Sequence, residues 1–250
     1  MTYLAFLAQL HAILQPRCYL EIGVRWGDSL ALSRCRSLGI DPAFKIDKEL
    51  HTEVQLFKTT SDEYFSRPAP LAPVDGAPFD LSFIDGMHLF EFALRDFINA
   101  ERHSRARSVI VFDDIFPRTV EEASRVPGPR AWTGDIYPLL EVFARYRPEL
   151  VVVPADTQPT GLLLLMALDP SSTVLADHYD EIVAEFRRPD PQPVPAAVLG
   201  RVGVQPPDRV LTCGLLQTLA GAPDDLDPAQ IAADLRAVAA DELGPVFARS

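Results

Sequence analysis

The sequence predicts an α/β protein built on a mostly parallel sheet that closes with an antiparallel hairpin and is followed by a helical C-terminal extension. Three observations predict it. Short apolar runs alternate with helical periodicities from Cys18 onward, which is the pattern of a parallel sheet covered on both faces. Two of these runs, Phe79 to Ile84 and Ser108 to Phe112, end directly in acid, at Asp85-Gly86-Met87-His88 and at Asp113-Asp114. The C-terminal ends of buried parallel strands are where open α/β sheets bind ligands. Finally, Leu150 to Pro154 and Leu162 to Leu168 are joined by a short connection with a turn at Gln158-Pro159-Thr160-Gly161, so the two run antiparallel.

In chain order, Leu4, Leu7, Leu10, Ile13 and Leu14 recur at helical spacing, and Pro16 closes a short amphipathic packing helix. Cys18 to Val24 reads as a buried strand, Asp28 to Arg36 as a helix, and Ser37 to Ile40 as a second strand ending at Asp41-Pro42. Val54 to Thr59 is a third strand, and Arg67 to Pro78 is a proline-rich loop. Phe79 to Ile84 is the fourth strand. Leu89, Phe92, Ala93, Phe97 and Ala100 mark one face of a helix, and Arg107 to Phe112 is the fifth strand. After an irregular stretch from Pro117 to Pro129, Thr133 or Asp135 is suited to cap a helix running to about Tyr146. Beyond the hairpin, a helical pattern from Val174 to Phe186, a linker from Pro189 to Pro195 and a final helix from Pro228 to about Leu243 form a tail of unassigned duty. The expected division is 1–169 for the main domain and 170–250 for the extension.

With 250 residues and 48% hydrophobic content, the chain can bury a substantial core. A formal charge of −12 argues against nucleic acid as a partner, because that affinity rests on Lys and Arg neutralising phosphates. A small molecule is the expected partner, and a homo-oligomer is left open. The apolar stretch near the N-terminus is broken by Gln9 and His11 and is far short of a membrane span, so no membrane association is expected. Cys18, Cys35 and Cys213 show no metal spacing and read as thiols in a reducing compartment, with a cytoplasmic location expected.

The first chemical motif is Glu21-Ile22-Gly23-Val24-Arg25-Trp26-Gly27-Asp28-Ser29, an acid at a strand end followed by glycines four apart at a strand-to-helix turn. Glycine lets a ligand approach the backbone, and a helix start offers N–H groups to an anion; equally, a Gly pair here can be a plain requirement of the turn. The spacing is not that of the Gly-x-Gly-x-x-Gly dinucleotide fingerprint. Asp41 follows Gly23 by 18 residues at the end of the second strand, where an acid can accept from both hydroxyls of a ribose or cap the turn before Pro42. Together the two favour a nucleoside ligand.

These segments, Tyr19 to Val24 with Gly27 and Ser29, Gly39-Ile40-Asp41-Pro42, Phe83 to His88, and Val109 to Asp114, resemble the class I S-adenosylmethionine-dependent methyltransferases. Within them the chain is most similar to the small-molecule O-methyltransferases that include the macrolide-sugar (macrocin and mycinamicin) enzymes and relatives of cephalosporin hydroxylase. Trp132-Thr133-Gly134-Asp135 and Pro159-Thr160-Gly161 look like recurrent pieces of the same group. The resemblance implies a Rossmann-like seven-stranded sheet of order 3-2-1-4-5-7-6, with residues 1–169 as the methyltransferase domain. It also implies that Glu21, Gly23, Gly27 and Ser29 line the methionine end of the cofactor, Asp41 its ribose, and Ser61 and Asp62 its adenine, unless the last two merely cap a short helix.

Neighbouring strands lie roughly 4.8 Å apart, so side chains leaving the fourth and fifth strands can reach one cation. Uncompensated carboxylates would repel and raise at least one pKa, and no lysine stands near either motif. Asp85, Asp113 and Asp114 are therefore candidate ligands for Mg²⁺ or another oxygen-preferring divalent cation, a trio that the macrolide-sugar enzymes also carry; the alternative is that these acids cap loops. His88, three residues after Asp85, can face the same cleft. By itself it reads as a cap or surface group, whereas the resemblance makes it the general base. Met87 departs from the family pattern, in which an acid is common.

The expected function is metal-assisted transfer of a methyl group from S-adenosylmethionine to a hydroxyl of a small-molecule vicinal diol, sugar or aromatic, in natural-product biosynthesis. Asp85 and His88 would be the catalytic pair, with Asp85 bordering the cofactor as well. Two alternatives are carried: a non-catalytic binding or assembly protein on the methyltransferase fold, and a metal-dependent hydroxylase or hydrolase. The loop from Ile115 to Ala131 is the expected source of acceptor specificity.

Overall fold

The apolar runs pair as the alternation predicts. In the computed structural model, which describes residues 1–129 and 131–248, seven strands form one sheet. They are β1 (Cys18–Ile22), β2 (Arg36–Ile40), β3 (Val54–Phe57), β4 (Phe79–Ile84), β5 (Ser104–Phe112), β6 (Val151–Ala155) and β7 (Leu162–Met166), in the order β3-β2-β1-β4-β5-β7-β6. The first five are mutually parallel, and β7 runs antiparallel to both β5 and β6. Both the strand order and the terminal hairpin match expectation. The order reverses between β1 and β4, so the C-terminal ends of these two strands flank the switch point where ligands of open sheets bind.

The helices are α1 (Tyr3–Leu14), α2 (Ser61–Phe65), α3 (Phe90–Arg102), α4 (Leu139–Tyr146), α5 (Val174–Asp177), α6 (Tyr179–Phe186), α7 (Ala196–Leu199), α8 (Pro207–Thr212), α9 (Gly214–Gly221) and α10 (Pro228–Glu242). Successive strand residues point to opposite faces, so the sheet presents two apolar surfaces. On one, Tyr19, Phe83 and Val111 pack with Phe6 and Leu10 of α1 and with Leu211, Leu216 and Leu235 of α8 to α10. On the other, Ile22, Ile84 and Phe112 pack with Phe97 of α3, Phe143 of α4 and Ile182 of α6. Phe97 and Phe143 meet with ring centroids 4.7 Å apart, and each buried side chain of this size contributes about 1.5–3 kcal/mol. The tail thus contributes to both faces of the core, α8 to α10 on one and α6 on the other. It is also clamped at the N-terminal edge of the sheet, where Asp224 and the buried Asp80 share Arg17, Arg105 and Arg107.

Several sequence expectations are corrected. The helix expected over 28–36 is a single 3-10 turn, Leu30–Leu32, because β2 begins at Arg36 and Ser33 is already extended, its hydroxyl bonded to Ser37. Neither Thr133 nor Asp135 caps α4, which starts after Pro138. The pattern over 174–186 breaks at His178 into α5 and α6. Helices α7, α8 and α9 went unpredicted because segments of four to eight residues are too short for a periodic pattern to register. No helix among the described residues is long and apolar enough to cross a membrane.

Candidate active site

β1 ends against β4 by backbone contact. The Asp85 N–H donates to the Ile22 carbonyl at 2.8 Å, and Gly23 turns away with φ +89°. A Cβ on Gly23 would lie 1.9 Å from the Asp85 carbonyl oxygen, so glycine is what lets the two strand ends close. Gly27 follows in a tight turn, its N–H donating to the Val24 carbonyl at 2.8 Å. With only a 3-10 turn after it, the helix start and dipole expected to serve an anion are missing, and Ser29 has another task. Its hydroxyl donates to Glu21 at 3.0 Å, as does the Tyr19 hydroxyl at 2.7 Å. Burial pushes the pKa of Glu21 up to about 8 despite these two bonds, so near neutral pH it is mostly an uncharged acid.

At the end of β2, Asp41 accepts from the backbone N–H groups of Arg25 (2.8 Å) and Ala43 (2.6 Å). A carboxylate has about four acceptor positions, which leaves roughly two for a ribose. After β3, Thr60 rather than Ser61 or Asp62 is the cap of α2, in a capping box with Glu63. Asp62 is engaged by the Arg95 guanidinium at 2.8 and 2.7 Å. Ser61 neighbours Asp96 of α3, whose pKa burial pushes up to about 7 and whose Oδ1 has no hydrogen bond.

The acid end is organised around His88. Its backbone is left-handed at φ +54°, and Nε2 lies 2.7 Å from Asp85 Oδ1. Nδ1 is 3.3 Å from Asp114 Oδ2, within ion-pair reach but not aligned as a hydrogen bond. The imidazole stacks on the Trp132 indole with centroids 5.2 Å apart, and the indole N–H is anchored on the Ser124 carbonyl. Gly134, with φ +64°, passes so close that a Cβ would fall 1.6 Å from the His88 carbonyl oxygen. Asp135 Oδ1 accepts from the Phe90 N–H at 3.0 Å, supplying the missing cap of α3 from 45 residues away. The 132–135 loop therefore clamps the turn that carries His88. Burial pulls the imidazole pKa down, but the hydrogen bond to Asp85 and the charges of Asp85 and Asp114 outweigh it, so the pKa is raised.

Asp114, at φ +58°, receives the Thr160 hydroxyl at 2.5 Å. Asp113 is buried and accepts the Asp114 N–H on Oδ1 at 2.9 Å. Burial first, and then the charges of its acidic neighbours, hold its pKa well above the carboxylate range; the pKa of Asp114 is also raised, mainly by burial. Asp85, His88 and Asp114 each offer a donor atom within 4.8 Å of the others, whereas Asp113 stands outside that group. The donors brought together thus differ from the expected trio by His88 in place of Asp113. Two carboxylates and an imidazole on adjacent strand ends fit a divalent cation. Sequence reasoning missed Trp132, Gly134 and Thr160 as neighbours of this site, although two of the recurrent family segments contain them.

The family model described as a methyltransferase domain matches residues 20–115. No curated protein matches the chain. Among solved structures, the chain is similar to an O-methyltransferase from Bacillus cereus in complex with SAH, at 19% identity and a TM-score of 0.44, over 65% of this chain and 80% of that one. It is also similar to the O-methyltransferase TomG from Streptomyces achromogenes, involved in tomaymycin synthesis and solved with SAM, at 21% identity and a TM-score of 0.46, over 65% and 78%. A third is the methyltransferase MycE from the mycinamycin biosynthetic pathway, in complex with Mg, SAH and mycinamycin VI, at 21% identity and a TM-score of 0.39, over 60% and 44%. The match to a methyltransferase domain over residues 20–115 runs from β1 past the end of β5, and so includes the glycine turn at the switch point and the acids that end β4 and β5.

Proposed function

We propose that the chain is an S-adenosylmethionine-dependent O-methyltransferase acting on one hydroxyl of a vicinal diol, on a sugar or aromatic ring of natural-product type, with a divalent cation. The observation that carries this reading is the close approach of Gly23 to Asp85, which sets the end of β1 beside the acids at the ends of β4 and β5. Asp41 would take the ribose hydroxyls. Ser61 and Asp62 would border the adenine, and Gly23, Gly27 and the hydrogen-bonded pair of Glu21 and Ser29 would shape the methionine end. Asp85 would border both halves. S-adenosylmethionine supplies the methyl group from its sulfonium.

Asp85 and Asp114, together with Asp113 from its buried position beside them, would hold Mg²⁺ or another oxygen-preferring divalent cation, which when bound lowers the pKa of the acceptor hydroxyl. His88 is the base in this reading. Asp85 Oδ1 accepts Nε2–H and fixes the tautomer, which leaves Nδ1, 3.3 Å from Asp114 Oδ2, to take the hydroxyl proton. Trp132 and Gly134 keep the imidazole in that orientation. A location in the cytoplasm and residues 170–250 as an extension to a 1–169 catalytic domain complete the reading.

The test is incubation with methyl-labelled S-adenosylmethionine, Mg²⁺ and a panel of catechols and sugar diols, followed by mass spectrometry. A labelled product heavier by one methyl, formed in step with S-adenosylhomocysteine and lost with chelator, is the expected result. Added oxygen or cleavage would favour hydroxylation or hydrolysis instead, and failure to bind the cofactor would leave a binding or assembly protein.

A further inference from the structure

The N-terminal helix carries a phenol to this cleft. The Tyr3 N–H donates to the Gln158 carbonyl at 3.1 Å, and the Gln158 N–H donates to the Met1 carbonyl at 2.9 Å. The start of α1 is thereby tied to the β6–β7 connection, two residues from the Thr160 hydroxyl that meets Asp114. The Tyr3 ring stacks on Phe83, with centroids 6.3 Å apart and planes 16° apart. In the sheet register Phe83 lies between Glu21 of β1 and Val111 of β5. Side chains two apart on a strand share a face, so the Tyr3 ring covers the face toward which Asp85 and Asp113 continue.

Burial, and then Asp113, Asp85, Asp28 and Asp114, push the phenol pKa up, so the group stays protonated and a donor. Tyr3 is only partly buried, and its hydroxyl makes no hydrogen bond among the described residues. The hydroxyls of Tyr19 and Ser29 both donate to Glu21, and that of Thr160 donates to Asp114. A methionine group brings one ammonium and one carboxylate. The acids around this space suit the ammonium and repel the carboxylate, which needs a donor that carries no negative charge. Lys48, between β2 and β3, is already paired with Asp28 and Asp47.

Building on the S-adenosylmethionine reading above, we propose that the Tyr3 hydroxyl donates to the methionine carboxylate of the cofactor, so that the first turn of α1 is part of the cofactor site. Calorimetric titration of the wild type and Tyr3→Phe tests it with two probes. S-adenosylhomocysteine carries the amino-acid group, and 5′-methylthioadenosine carries the same nucleoside and thioether without it. Tyr3→Phe keeps the ring on Phe83, and an unchanged melting temperature checks that the helix stays docked. The expected result is about ten-fold weaker binding of S-adenosylhomocysteine, as for loss of a hydrogen bond to a charged group, with 5′-methylthioadenosine bound alike by both proteins. Unchanged S-adenosylhomocysteine binding overturns the proposal. An equal loss for both probes also overturns it, since Tyr3 would then be a packing residue. A wild type that binds neither probe overturns the cofactor reading itself, and this proposal with it.

Discussion

Replacing Gly134 by Ala should damage the site through geometry alone. The added methyl would stand 1.6 Å from the His88 carbonyl oxygen, less than half of an ordinary contact, and the φ of +64° is one that alanine resists. The left-handed backbone costs alanine about 1–2 kcal/mol, and relieving the overlap by moving the 88 turn or the 134 loop costs about 1–3 kcal/mol more. Urea unfolding should therefore show a loss of about 2–5 kcal/mol. Gly128→Ala is the control in the same irregular stretch: among the described residues no atom beyond its chain neighbours lies within 4 Å of the added methyl, and a change within about 0.5 kcal/mol is expected. Because the displaced carbonyl belongs to His88, the imidazole resonances should also shift in Gly134→Ala. A loss below about 1 kcal/mol with unshifted His88 resonances would refute the clamp.

Glu21 and the acid cluster yield the remaining predictions. The pKa of Glu21 rises from 4.5 to about 8 on folding, so the folded chain keeps a proton that the unfolded chain releases. The contribution of Glu21 to stability is accordingly full below the unfolded value and falls by up to about 4 kcal/mol as pH rises toward 8; Glu21→Gln should flatten the wild-type slope between pH 5 and pH 8 by about that much in urea unfolding, leaving the part that belongs to Asp96, Asp113 and Asp114. If Asp113 and Asp114 hold the cation and His88 is the base, Asp113→Asn and Asp114→Asn should weaken Mn²⁺ binding about ten-fold or more, while His88→Gln stays within about three-fold, by electron paramagnetic resonance titration. The reverse pattern would make His88 a ligand and remove the base.

What the sequence made legible follows from where the physics is local. The strand Phe79–Ile84 was read to the residue because Pro78 and Asp85 bound a run whose Phe79, Leu81, Phe83 and Ile84 are apolar. The sheet order came from family resemblance, and its hairpin from the short connection at Gln158 to Gly161. The helix over 28–36 was misread because the chain is already extended at Ser33, whose hydroxyl is bonded to Ser37 of β2. The acids at the strand ends were located by spacing, but spacing does not give their aim. Spacing puts Asp113 and Asp114 at a strand end, but only the left-handed turn at Asp114 carries its carboxylate toward His88, while Asp113 stays buried. The stacking of Trp132 on His88 spans 44 residues and two loops, and Tyr3 reaches Phe83 from the far end of the chain. Neither contact leaves a local pattern.

The most direct test of the account is calorimetric titration of S-adenosylhomocysteine into the wild type and Asp41→Ala, with melting temperatures recorded for both. One site per chain with affinity on the order of micromolar is expected, weakened about ten-fold or more in Asp41→Ala through loss of the carboxylate that would hold the ribose. No binding by the folded wild type, or equal affinity in both proteins, would contradict a nucleoside cofactor at the ends of β1 and β2.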